Sequence, residues 1–140
     1  MLKILRGLPG SGKTTLAKYI ASDCHKLIFV FEADQYFEDE DGNYKFDITK
    51  LSDAHKWCQK ITKEYLKLGF DVIVSNTFTQ LWEMQPYIDI CMEMQTRFEV
   101  IKVIGNYKNI HGVPEETVNR MKSRWEDYPG EFVLENINVE

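Results

Sequence analysis

Apolar positions in this chain fall into short runs, separated by stretches with helical spacing or by polar turns. Leu2-Lys3-Ile4-Leu5 predicts a strand that leads straight into a glycine-rich turn at Gly7. From Lys13 to about Ala21 the spacing of Leu16, Ala17 and Ile20 predicts a helix with one apolar face. Leu27-Ile28-Phe29-Val30-Phe31 is a continuous apolar run, which predicts a strand buried on both faces, as in a parallel sheet. Asp39-Glu40-Asp41-Gly42-Asn43 reads as a polar turn. A long helix is expected after Asp47, which can cap it, and runs to Leu68 with Gly69 as its stop. Val72-Ile73-Val74 predicts a third strand. A helix containing Tyr87, Ile88, Cys91 and Met92 follows, with Pro86 tolerated only near its start. Phe98 to Ile104 predicts a fourth strand, and Pro114-Glu115-Glu116 opens a last helix that should end near Trp125. Phe132-Val133-Leu134 is either an edge strand or an ordered tail. The alternation of strands and helices predicts an α/β fold, a mainly parallel sheet flanked by helices on both faces.

Composition narrows the class. With 140 residues, 44% of them hydrophobic and 28% charged, the chain suits one domain over residues 1–140, residues 131–140 being the edge strand or tail. No apolar run approaches the ~18 residues that span a bilayer, and no signal peptide precedes the first strand, so a cytoplasmic protein with no membrane contact is expected. The net charge of −5 excludes a protein that holds DNA by general phosphate neutralisation. Cys24, Cys58 and Cys91 are odd in number and widely spaced, and His25, His55 and His111 are equally scattered. No zinc spacing results, and the cysteines read as buried reduced thiols. No obligate protein partner is evident in the sequence.

Gly7-Leu8-Pro9-Gly10-Ser11-Gly12-Lys13-Thr14 satisfies the G-x-x-x-x-G-K-[ST] phosphate-loop pattern, with a strand before it and a helix after it. Gly7, Gly10 and Gly12 let the backbone curl so that its N–H groups turn inward around phosphates. Lys13 adds a point charge, Thr14 offers a hydroxyl to Mg²⁺, and the following helix adds its positive dipole. The predicted cradle is Gly7, Pro9, Gly10, Ser11, Gly12, Lys13, Thr14 and Thr15. The N-K-x-D signal of guanine specificity is absent, and Val72-Ile73-Val74-Ser75 lacks the terminal aspartate of many ATPases. A compact kinase using ATP as donor fits best.

Glu32 and Asp34 follow the second strand directly, where a parallel sheet places its ligand crevice. In an extended chain, alternation would put both on one side. A carboxylate there can take the proton of an attacking hydroxyl or support Mg²⁺; Asp34 could equally cap the Gln35-Tyr36-Phe37 turn. Asn76 and Thr77, at the end of the third strand, are candidate acceptor contacts. Arg120 and Arg124 sit four apart on the last helix and either form a solvated stripe paired with Glu116 or face the phosphates, within a 102–124 segment of net charge +3. Trp57, Trp82, Tyr87 and Trp125 are expected to pack the core.

The phosphate loop, then Glu32-Ala33-Asp34-Gln35-Tyr36-Phe37, Ser75-Asn76-Thr77-Phe78-Thr79 and Asn109-Ile110-His111-Gly112-Val113-Pro114 occur in order. Over about residues 1–126 this set resembles the P-loop polynucleotide kinase family. That group includes phage 5′-hydroxyl polynucleotide kinases and the AAA-type ATPase domain of a ubiquitin-ligase-binding protein. The resemblance implies a P-loop NTPase fold in which Lys13 and Thr14 bind ATP phosphates and Mg²⁺. It implies that Asp34 is the general base for a nucleic-acid 5′-hydroxyl and, with Thr14, supports the metal. Lys108 and His111 stand where the phage enzymes have lid arginines that clamp the donor phosphates, and Phe37 where an arginine grips the acceptor phosphate. A nucleoside or nucleotide kinase is the alternative enzyme, and an ATP-binding regulatory module with slow hydrolysis the alternative from another class.

Overall fold

The computed structural model describes residues 1–23, 25–105 and 112–135. Strands β1 (Leu2–Arg6), β2 (Ile28–Phe31), β3 (Asp71–Asn76), β4 (Phe98–Ile104) and β5 (Phe132–Glu135) form one sheet in the order β2-β3-β1-β4-β5. Every neighbouring pair is parallel. Helices α1 (Lys13–Ser22), α2 (Leu51–Lys67), α3 (Leu81–Met94) and α4 (Glu115–Ser123) complete the described elements.

Strand alternation supplies two cores. Leu2 and Ile4 of β1 lie in register with Val72 and Val74 of β3, and with Val100 of β4 they face Ala54, Cys58 and Leu66 of α2 and Met84, Tyr87 and Cys91 of α3. On the other face Leu5, Ile73, Ile101 and Val103 meet Ala17 of α1, with Leu16 and Ile20 packed against them. A sheet covered on both faces is the arrangement parallel strands require. Cys58 and Cys91 are buried free thiols; Cys24 lies outside the described residues.

Three local expectations change. The run Leu27–Phe31 is not a doubly buried strand: β2 is an edge strand paired only with β3, its four residues are half-buried, and Leu27 lies exposed outside it. Its continuous apolarity serves two different partners, Phe29 and Phe31 against Tyr65 on one face and Ile28 and Val30 against the α1 core on the other. Asp47 caps a 3-10 turn, Ile48–Lys50, rather than α2 itself, accepting from the Thr49 N–H at 3.0 Å. Pro86 lies inside α3 rather than in its first turn. The strand option for Phe132–Leu134 holds, because β5 pairs with β4 from Ile101 to Ile104.

Gly69 does end the long helix. At φ +90° it lets its own N–H reach the Leu66 carbonyl at 3.0 Å and the Phe70 N–H reach Tyr65 at 3.1 Å. These two bonds satisfy carbonyls that the helix end leaves open. No helix among the described residues is long and apolar enough to cross a membrane. Because all five strands run the same way, Gly7, Glu32, Thr77 and Gly105 emerge at one edge of the sheet.

Candidate active site

The loop after β1 is held tight by its own atoms. The Gly7 N–H donates to the Thr77 carbonyl at 3.2 Å, and the Ser11 N–H donates back to Leu8 at 3.0 Å. Only glycine fits position 7, since a Cβ there would stand 2.5 Å from Ser11 Oγ and 2.7 Å from the Val103 carbonyl oxygen. Gly10 and Gly12 take φ of +82° and +92°, the left-handed region that glycine enters without strain. Gly12 is the N-cap of α1 and has no side chain to cap the first-turn N–H groups. The Ser11 hydroxyl is buried without a hydrogen-bond partner among the described residues. A buried donor of that kind, beside a helix N-terminus, fits an anionic oxygen. Pro9 and Gly10 are half-buried, whereas Thr15 is exposed on the first turn of α1.

Lys13 folds back on the loop, donating to the Leu8 carbonyl at 3.2 Å. Burial lowers its ammonium from the ordinary 10.5 to about 8, against the opposing pull of Glu32 and then Asp34. Both carboxylates therefore stand close enough to act on the lysine. They do so from different backbone conformations. Glu32 ends the extended chain, while Asp34 lies one step into a 3-10 turn, Ala33–Phe37, so simple alternation does not place them. The Thr14 hydroxyl donates to Glu32 at 2.9 Å, so Glu32 rather than Asp34 is the carboxylate in contact with the threonine of the phosphate loop. Asp34 instead accepts from the Tyr44 hydroxyl at 3.3 Å. Burial and then the Asp34 charge raise the Tyr44 phenol above its usual range.

Asn76 has a structural task. Its Oδ1 accepts from the Ala33 N–H at 2.9 Å, tying the end of β3 to the turn that carries Asp34. Thr77 contributes its carbonyl to Gly7.

The other wall of the site is anchored by Arg6, which the sequence reading passed over. Its side chain is fully buried. Nε and Nη2 donate to the Phe78 carbonyl at 3.0 and 2.7 Å, Nη2 donates to the Glu126 carbonyl at 2.6 Å, and Nη1 pairs with Glu131 at 3.0 Å. Phe78 needs that support, being a buried non-glycine residue at φ +45°. The guanidinium also lies 4.1 Å from the centre of the Trp125 ring, with Lys102 Nζ at 5.3 Å from the same ring. The available signal was a single charged residue ending an apolar strand, one step before the loop.

Trp125 therefore does not pack the core as expected, and Trp82 is 70% exposed, while Trp57 and Tyr87 do join it. Trp125, Lys122, Lys102, Val103 and Ile104 with Gly7, Leu8 and Ser11 line a cavity of about 340 Å³ that opens beside the phosphate loop. The expected arginines are engaged elsewhere. Arg124 donates to Thr79 Oγ1 at 3.2 Å and Arg120 to Thr117 Oγ1 at 3.3 Å, so Lys122 is the α4 cation that faces the loop. Lys108 and His111 lie outside the described residues.

A family model described as an AAA domain matches residues 2–104, and the chain belongs to that family. The fold is the α/β P-loop NTPase fold, shared with several kinases. Human NEDD4-binding protein 2 is 33% identical over an alignment of 152 residues that includes 99% of this chain, which spans 8% of that relative's length. Kti12 from Chaetomium thermophilum, solved with ADP-AlF3, superposes with a TM-score of 0.70 at 16% identity, over 100% of this chain and 92% of that one. APS kinase from Mycobacterium tuberculosis, solved with AMPPNP and APS, gives 0.66 at 10% identity over 99% and 89%. A chain of the Pnkp1/Rnl/Hen1 RNA repair complex gives 0.61 at 22% identity over 91% and 40%.

Proposed function

We propose that this protein is an ATP-dependent kinase that transfers the γ-phosphate to a hydroxyl, the 5′-hydroxyl of a polynucleotide end. The observation that carries the reading is the meeting of Lys13, Thr14, Glu32 and Asp34 at the open end of a glycine cradle. The orphaned Ser11 hydroxyl and the left-handed glycines suit phosphate oxygens, and the adjoining cavity of about 340 Å³ suits the nucleoside half of ATP. Mg²⁺ would be held by Thr14 and Glu32 together with substrate phosphates, where it would neutralise charge on the transferring group. No cluster of three or more His, Cys, Asp or Glu exists among the described residues to hold a metal unaided.

In the transfer, the acceptor oxygen forms a bond to the γ-phosphorus as the bond to the β–γ bridging oxygen breaks and ADP departs. Asp34 takes the acceptor proton, and Lys13 holds the donor oxygens in line. The free thiols Cys58 and Cys91 suit a reducing compartment such as the cytoplasm. A nucleoside acceptor is the second reading, favoured by Phe37: the side chain is 7% exposed within the core and has no charge to grip a phosphate. Labelled ATP offered with a 5′-hydroxyl oligonucleotide, free nucleosides and no acceptor tests the reading. Label on the oligonucleotide is expected; label only on a nucleoside selects the second reading, and phosphate release indifferent to every acceptor rejects both.

A further inference from the structure

We propose that exposed aromatic side chains beside Asp34 form a stacking platform for the base of the nucleoside that carries the acceptor hydroxyl. The inference rests on the kinase reading, since it takes Asp34 as the group that meets that hydroxyl. Phe37 is the buried hub of the platform. Tyr36, Tyr44 and Phe46 pack around it with ring centres 5.6, 6.3 and 5.1 Å away. These three outer rings remain 38%, 45% and 52% exposed. An antiparallel bridge between Glu38 and Tyr44 and a 2.9 Å bond from the Lys45 N–H to the Phe37 carbonyl hold both arms of the segment together. The 3.3 Å bond from the Tyr44 hydroxyl to Asp34 joins the patch to the chemistry.

Charge decides what such a patch can hold. Residues 34–47 carry six acidic side chains and one basic one, so a phosphate is repelled from this side of the site. A nucleobase is uncharged and flat, and it stacks on tyrosine or phenylalanine whatever its identity. The acceptor is thus gripped by its terminal base, with the ribose hydroxyl left toward Asp34. A free nucleoside and the first nucleoside of an oligonucleotide present the same chemistry.

The experiment compares a 5′-hydroxyl oligonucleotide with the same strand made abasic at its first residue, and with adenosine, on the wild type, Tyr44→Phe, and the double variant Tyr44→Leu/Phe46→Leu. Transfer is measured at saturating MgATP. Binding of each acceptor is measured separately with AMPPNP in place of ATP. Wild type is expected to lose affinity on the order of tenfold for the abasic strand. Tyr44→Phe keeps that discrimination because it keeps the ring, and the double variant erases it while ATP affinity stays unchanged. Discrimination shown by adenosine binding alone assigns the platform to free nucleosides. Equal binding of the intact and abasic strands by wild type, together with no binding of adenosine, overturns the platform, as does discrimination that survives in the double variant. Base-dependent binding in a protein that transfers no phosphate leaves the platform standing and rejects the kinase reading instead.

Discussion

Ser11 of the phosphate loop is 3% exposed and Arg6, at the end of β1, is fully buried, whereas every residue from Glu38 to Asp53 is exposed. The donor side is pinned from three directions. Arg6 holds the segment after α4, Lys102 pairs with Asp127 at 3.0 Å, and the Glu126 N–H donates to the Thr79 carbonyl at 2.8 Å. The 34–47 segment, proposed to meet the acceptor, is held by turn geometry: Asp39 Oδ1 accepts from the Asp41 and Asn43 N–H groups at 2.9 and 2.8 Å, and the rings around Phe37 do the rest. A polyphosphate requires one fixed set of N–H directions, so its cradle is rigid. An exposed segment on a rigid scaffold can change its clientele without disturbing that cradle.

The most severe way to break the contrast is Glu131→Ala. It leaves the Arg6 guanidinium buried without its counter-charge, at a cost of about 3–5 kcal/mol. Thermal melting should show the loss, while Glu38→Ala on the exposed side should stay within about 0.5 kcal/mol. Equal effects from the two variants would mean that the donor wall is not pinned as described.

Lys13→Ala comes next. A ligand at one hundred times its Kd stabilises the folded state by about 2.7 kcal/mol, seen as a raised Tm with MgATP. The variant should lose most of that shift and keep its apo melting, whereas Tyr44→Leu should keep the shift in full. A full shift in Lys13→Ala would remove the phosphate-loop assignment.

How far the sequence revealed each side follows from the same contrast. The donor loop was legible because glycine, lysine and threonine at fixed spacing are demanded by backbone shape and phosphate charge. Gly69 was legible for a similar reason, a local turn with one permitted residue. Arg6 was not, because its four partners lie more than seventy residues away in the chain. Nor was the division of labour between Glu32 and Asp34. Two residues apart, they are separated by the entry to a 3-10 turn that alternation cannot foresee. The edge position of β2 escaped notice because two aromatic rings packed on helix α2 read like an interior strand.

The smallest effect concerns protons. Lys13 titrates near 8 in the folded protein and near 10.5 unfolded, so between those values the unfolded chain binds the extra proton. This group therefore adds stability as pH rises through that window. Bound phosphates reverse the bias and draw the proton back. Nucleotide binding near pH 8 should take up about half a proton, read from calorimetry in buffers of different ionisation enthalpy. Near pH 6 Lys13 is already charged and contributes no uptake, and Lys13→Ala should remove the uptake seen near pH 8.

The central claim is that Asp34 performs the proton transfer while Glu32 serves the metal-binding threonine. Phosphoryl transfer to the acceptor under saturating MgATP, with nucleotide binding followed in parallel, separates the two in Asp34→Asn and Glu32→Gln. Asp34→Asn should bind ATP normally and transfer slower by a factor on the order of 10²–10⁴. Glu32→Gln should need more Mg²⁺ for nucleotide binding and recover rate as the metal concentration rises. Near-normal transfer by Asp34→Asn would contradict the account.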